Sequence, residues 1–297
     1  MQKTLNPLRT FLAITGILLI VNAYAFADTI APMHTATLHP RDTAFFTRAG
    51  NVIQGIANWK GYWITTQHHK NRLLIFNVLD QRGRSRYAKR ITYASHGQDL
   101  GVKQLDDHHL LLVTRGDRKG TIATFILTYG DSLAQTRSIR HLATLSLPVG
   151  RHKTTPTFST DGKTLLVYSG GTIHLFETES LGKNAKGPKK IGKFKLHEKQ
   201  RKKKKWFQGI AMHRGKIYCL TADNSLKNDK YLYVYDPKGK LLEKHRLTFG
   251  KQYARRHGVK WEMEGLAFKG DDLYTVVISG FNGLNIKHLY RILHVSR

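Results

Sequence analysis

One pattern recurs along this chain and restricts its fold more than any other feature. A short glycine-containing strand is followed by a turn, an aliphatic or aromatic strand, and a third alternating strand. The clearest copies open at Gln54-Gly55-Ile56-Ala57, Gln208-Gly209-Ile210-Ala211 and Glu264-Gly265-Leu266-Ala267. A turn follows seven residues after each Gln or Glu, at Gly61, Gly215 and Asp271. Two weaker copies lie between them, at Asp99-Leu100-Gly101-Val102 and at Thr157-Phe158. The second strands (62–66, 110–113, 164–168, 216–221 and 272–278) alternate or run apolar and are rich in Tyr, Val, Ile and Leu. That is strand chemistry, and no sustained helical period competes with it.

Third strands are expected at 73–78, 122–127, 172–176, 231–235 and 288–293, and fourth strands at 86–93, 138–147, 190–196 and 241–249. The last repeat lacks a fourth strand, because the chain ends at Arg297. An orphan strand precedes the first repeat, within 35–39 or 44–48. Pairing it with the last repeat closes a ring and removes the exposed edges of an open array. Four-stranded repeats about 45 to 58 residues apart fit an all-β fold, a β-propeller of five blades. A six-bladed ring with one degenerate blade, or a β-sandwich, is the alternative.

Residues 1–27 have the three parts of a secretory signal peptide: Lys3 and Arg9, an apolar run from Phe11 to Val21, and Ala23, Ala25 and Ala27. Cleavage is expected after Ala25 or Ala27, leaving 28–297 as one propeller domain. The apolar run is shorter than the ~20 residues of a spanning helix. Export places the protein in the periplasm or outside the cell. Cys219 is the only cysteine, so no intramolecular disulfide forms and stability must come from a core. Removing the leader takes Lys3 and Arg9 from a formal net charge of +29, leaving +27. A field of that size draws polyanions: an anionic polysaccharide, lipopolysaccharide or a teichoic-acid-like polymer. Export argues against nucleic acid as the partner. No second long apolar stretch spans a membrane, no cofactor is implied, and a monomer is expected.

Inner strands of a propeller line its channel, so Gln54, Asp99, Gln208 and Glu264 form a partial polar ring near one mouth. Such a ring holds a sugar, a cation or only ordered water. Ser95-His96-Gly97-Gln98-Asp99 is the richest local cluster, and its His either titrates in a site or satisfies a turn. His152 and His257 precede later repeats at comparable places. With Glu262 and Glu264 these residues furnish acid–base chemistry if they meet on one face. The channel-mouth candidates are thus Gln54, His96, Gln98, Asp99, His152, Gln208, His257, Glu262 and Glu264. No metal signature, Gly-x-Ser-x-Gly or Walker-type loop is present. Lys199 to Lys205 runs into Trp206-Phe207, either a phosphate- or glycan-binding loop or a solvated tip. Its candidates are Lys202, Lys203, Lys204, Lys205 and Trp206. The run 82–90 reads as a solvated blade edge, Trp63 as buried and Trp206 as exposed.

Gln54-Gly55-Ile56-Ala57, Ser95 to Leu100 and Glu262-Met263-Glu264-Gly265-Leu266-Ala267 resemble a propeller family. It includes teichoic acid biosynthesis protein C, helveticin J-like bacteriocins and a staphylococcal phage receptor-binding protein. The segment from Asp272-Leu273-Tyr274 to Asn285-Ile286 is similar to that family's closing blade, and the resemblance covers most of the chain. It implies a propeller associated with Gram-positive walls or their polymers. The function expected is binding of an anionic cell-surface polymer or glycan without catalysis. An envelope-polymer enzyme using His96 with Glu262 or Glu264, or a bacteriocin-like toxin, is the alternative.

Overall fold

A computed structural model describes residues 33–37, 53–69, 72–181, 187–196, 207–221, 225–281 and 284–295. Twenty strands form five antiparallel four-stranded sheets. Blade 1 holds β2 (Ile53–Trp59), β3 (Tyr62–His69), β4 (Leu73–Leu79) and β5 (Ser85–Thr92). Blade 2 holds β6 (Gly101–Asp106), β7 (His109–Arg115), β8 (Thr121–Tyr129) and β9 (Thr136–Ser146). Blade 3 holds β10 (Thr154–Phe158), β11 (Thr164–Ser169), β12 (Thr172–Glu177) and β13 (Lys190–Lys195). Blade 4 holds β14 (Phe207–His213), β15 (Lys216–Thr221), β16 (Lys230–Tyr235) and β17 (Leu241–Leu247). Blade 5 holds β18 (Trp261–Lys269), β19 (Asp272–Phe281) and β20 (Leu284–His294). Inner strands of neighbouring blades touch around a ring, so the fold is a five-bladed propeller and neither a six-bladed ring nor a sandwich.

The fourth strand of blade 5 is β1 (Met33–Thr37), antiparallel to β20 with Met33 opposite Arg291 and Thr37 opposite His288. Closure therefore works as the repeat count requires, two residues upstream of the nearer expected window. Residues 38, 39 and 44–48 lie outside the described residues.

The core is divided among the five blade interfaces. Leu110 and Leu112 of β7 pack with Ile64, Phe76 and Val78 of blade 1, while Leu111 and Val113 pack with Leu165, Val167 and Phe176 of blade 3. A strand buried on both faces loses its polar alternation, which explains the apolar runs of the second and third strands. The outer strands have one solvated face. Arg86, Lys89 and Arg90 of β5 sit on such an edge, where charge discourages edge-to-edge association. Trp63 and Trp261 are fully buried. The one α-helix among the described residues, α1 (Lys251–Arg256), is too short to show a periodic pattern and buries Ala254 between blades 4 and 5.

Deleting residues 28–37 leaves β20 with an unpaired edge. Thermal unfolding of that truncation is expected to lose its single cooperative transition, with aggregation visible by light scattering. Unfolding identical to that of the 28–297 chain would refute closure by β1.

Candidate functional site

The ring has two unlike faces. The loop face carries the N-terminal ends of the inner strands, the connections between blades, and the links from second to third strands. The turn face carries the tight links from first to second and from third to fourth strands.

Backbone irregularities aim the polar residues at the loop-face end of the channel. In blades 1 and 4 the ladder skips a residue at Gln54 and at Gln208, and in blade 5 one residue later, at Gly265. Each bulge bends its strand and turns a side chain towards the axis. The result is a hub. Gln98 Nε2 donates to Glu264 Oε2 at 3.0 Å and to the Gln208 carbonyl at 2.9 Å. Gln208 Nε2 donates to Glu262 Oε1 at 3.1 Å, and Gln54 Nε2 to Glu264 Oε1 at 3.4 Å. Asp99, with φ +57°, accepts the backbone N–H groups of Ile210 at 2.9 Å and Leu100 at 3.1 Å, and also that of Leu266. Its own N–H donates to the Gln54 carbonyl at 2.9 Å. One residue of blade 2 thus ties blades 1, 4 and 5.

Gln54, Gln98, Asp99 and Glu264 are all buried. The expected polar ring is present, but its groups are spent largely on one another. Desolvation holds Asp99 and Glu264 well above the ordinary carboxylate range, and the like charge of Glu262 raises Glu264 further. Desolvation also raises the half-buried Glu262, which lies beside Glu264.

The histidines are placed differently. His96 is exposed and its ring stacks on His68 with centroids 5.1 Å apart. Partial desolvation, then Arg115, His68 and Lys153, push it down to about 4, so it is neutral near pH 7 and shares no hydrogen bond with Glu262 or Glu264. His152 sits in the β9–β10 connection, its ring where a Cβ on Gly170 would approach to 2.6 Å. His257 ends α1 with its ring 4.3 Å from Tyr253. Hence the acid–base constellation of His96 with Glu262 or Glu264 is not assembled. Among the described residues no cluster of His, Cys, Asp and Glu has metal-holding geometry. Lys202, Lys203, Lys204, Lys205 and Trp206 lie outside the described residues.

Sequence reasoning missed Arg115, the last residue of β7. Its Nε donates to the Thr154 carbonyl at 2.7 Å, and its charge acts on both Glu264 and Asp99. Desolvation pushes its pKa down to about 10. The available signal was a single Arg ending an otherwise apolar strand. Lys230 was missed as well: it is buried 4.9 Å over the Trp261 ring and donates to the Ser225 carbonyl at 3.0 Å.

Comparison with known proteins gives two results. Residues 58–275 match the family model described as the phage 5-bladed beta propeller receptor binding platform domain. Among solved structures, the tail fiber of Staphylococcus aureus phage P68 superposes with a TM-score of 0.65 at 16% identity, over 94% of this chain and 56% of that one. The chain therefore spans little more than half the length of that tail fiber. A GH43 glycoside hydrolase follows with a TM-score of 0.47 at 9% identity, over 88% of this chain and 50% of that one. No curated protein matches the sequence.

The hub makes stability depend on pH with a defined sign. Glu264 has a raised folded-state pKa, so its stabilising effect is complete below the unfolded value and is lost as pH rises through the folded value. Glu264→Gln removes this titration. Its stability relative to wild type is expected to be ~1–3 kcal/mol more favourable near about pH 8 than near about pH 4. Urea unfolding of both proteins across that range is the check, and a pH-independent difference would refute the buried, protonated hub.

Proposed function

The chain belongs to the phage five-bladed β-propeller receptor-binding platform family, and from that premise we propose that it is an exported receptor-binding propeller whose loop face holds an anionic cell-surface polymer or glycan. One observation carries this reading: the described charges are divided between the faces. The loop face exposes Arg72, Arg118, Lys119, Arg151, Lys153, Lys227, Arg255, Arg256 and Lys260. Its described acids are largely taken up. Asp99 and Glu264 are buried, Asp229 pairs with Arg246 and Lys251 at 3.0 and 2.9 Å, and Asp117 lies 3.7 Å from Arg118. Most other described acids sit in the tight turns opposite, among them Asp80, Asp106, Asp161, Asp236 and Asp271. An uncompensated cationic surface attracts polyanions and speeds their association at low ionic strength.

The basic segment from Lys199 to Lys205 belongs to the same reading, since β13 ends and β14 begins on the loop face. The resemblance of the repeat motifs, carried by Gln54 to Ala57, Ser95 to Leu100 and Glu262 to Ala267, to the family of teichoic acid biosynthesis protein C and helveticin J-like bacteriocins suggests a wall polymer as the ligand. Export rests on residues 1–27. Removing them leaves β1, which begins at Met33, in place to close a single domain over 28–297. Among the described residues no helix is long and apolar enough to cross a membrane. Binding is favoured over catalysis because the His96 ring stacks on His68 and the hub carboxyls accept from Gln98 and Gln208 as structural partners.

Replacing Lys202, Lys203, Lys204 and Lys205 by Ser is expected to weaken binding to immobilised lipopolysaccharide or wall teichoic acid and to flatten its salt dependence. Melting is expected to shift by no more than the roughly 0.5 kcal/mol usual for a change of surface charge. An unchanged salt slope would remove the loop from the contact, and binding insensitive to salt would refute the electrostatic reading.

A further inference from the structure

The other end of the channel is built differently. A cavity of about 480 Å³ opens there, within the size range of small-ligand sites. Trp59 and Phe268 line it beside Lys60, Arg214, Asp161 and Asp271. These two cations and two carboxylates balance, in contrast to the loop face. We propose that this turn-face cavity is a second binding site, which takes one or two rings of a neutral saccharide.

Two observations support it beyond the cavity itself. First, polar groups are held in place within a partly aromatic wall. His213 is fixed between Thr160 Oγ1 at 3.0 Å and Asp271 Oδ1 at 2.9 Å, and stacks on Phe268 at 4.4 Å. Arg214 Nη2 donates to Asp271 Oδ2 at 2.8 Å. Aromatic surface with a few fixed donors and acceptors suits a sugar ring, which presents an apolar C–H face and hydroxyl edges. Second, two cavity residues adopt conformations that their side chains disfavour. The β2–β3 and β14–β15 links are two-residue turns with φ positive at both positions: Lys60 +47° and Gly61 +84°, Arg214 +48° and Gly215 +73°. Such type I′ turns favour Asn, Asp or Gly at the first position. Here Lys and Arg occupy it in two blades, so two of the four left-handed non-glycine residues among those described lie at the cavity, and strain retained there points to a use.

The test follows from that strain. Asn at both positions (Lys60→Asn with Arg214→Asn) should relieve the turns and remove the two cations. The ¹⁵N-labelled 28–297 protein is titrated with glucose, N-acetylglucosamine, maltose and diacetylchitobiose at high salt. The Trp59 indole N–H signal, assigned with Trp59→Phe, is followed. At least one sugar should shift that signal saturably in the wild type. The double variant should melt at the same or a higher temperature, with at least a fivefold weaker affinity. Asp271→Asn, which loosens His213 and Arg214, should weaken it likewise. If no sugar moves the Trp59 signal, or both variants bind as the wild type does, the proposal is overturned. High salt screens the loop face, so this result stands apart from the fate of the polyanion reading.

Discussion

Five inner strands have to meet around one axis, backbone against backbone, and the propeller depends on how that meeting is satisfied. A Cβ on Gly55 would lie 2.5 Å from the Asp99 carbonyl carbon, one on Gly209 2.6 Å from that of Gly265, and one on Gly101 2.7 Å from the Phe158 nitrogen. Glycine is required by contact there. Close approach creates a second demand, because inner-strand N–H groups facing the axis leave the blade ladders and are cut off from water. Asp99 answers it by accepting, with one carboxyl group, from Ile210 of blade 4, from Leu266 of blade 5 and from its neighbour Leu100. Its left-handed backbone, which Asp tolerates better than most residues, directs the side chain across the axis.

Most of the architecture was legible because it rests on local rules. Both faces of the second and third strands are buried, so they read as apolar runs. The missing fourth strand in the last repeat, with a spare strand upstream, implied ring closure, and β1 on β20 is that closure. The hub was only half legible. That Gln54, Asp99, Gln208 and Glu264 converge followed from the repeat register. Their satisfaction of one another did not, because it depends on bulges at Gln54, Gln208 and Gly265 that have no sequence period. The same holds for Arg115, whose partners Thr154, Glu264 and Asp99 all lie outside its own strand in sequence. His96, His152 and His257 look equivalent along the repeats, yet the connections between blades differ in length, and these rings end on His68, Gly170 and Tyr253 respectively.

The division of charge has a plain origin in turn chemistry. Tight hairpins need short acceptors that bind backbone N–H groups two to four residues on, and Asp serves well. Asp80 accepts from the N–H groups of Arg82 and Arg84, Asp106 from that of His108, Asp161 from that of Lys163, and Asp236 from those of Lys238 and Lys240. Much of a small supply of carboxylates is thus committed to the turn face as structure. The connections between blades are longer and make no such demand, so the excess of Lys and Arg is left uncompensated on the loop face. A strongly basic propeller acquires an electrostatic polarity in this way, without any residue placed for that purpose.

The hub then separates what the two ends of the channel can do. An apolar stopper would close the channel equally well but would leave the inner-strand N–H groups of Ile210 and Leu266 unpaired, at ~1–3 kcal/mol for each buried donor. Asp99 satisfies them, at the expense of a desolvation that raises its own pKa as it raises those of Glu264 and Glu262. Because those polar atoms are committed to the frame, a ligand on the loop face meets the cationic rim before it meets the axis. Beyond the hub, the cavity is lined by as many carboxylates as cations among Lys60, Arg214, Asp161 and Asp271. One ring therefore presents two chemically distinct surfaces, an extended cationic one on the loop face and a charge-balanced, partly aromatic one at the turn face.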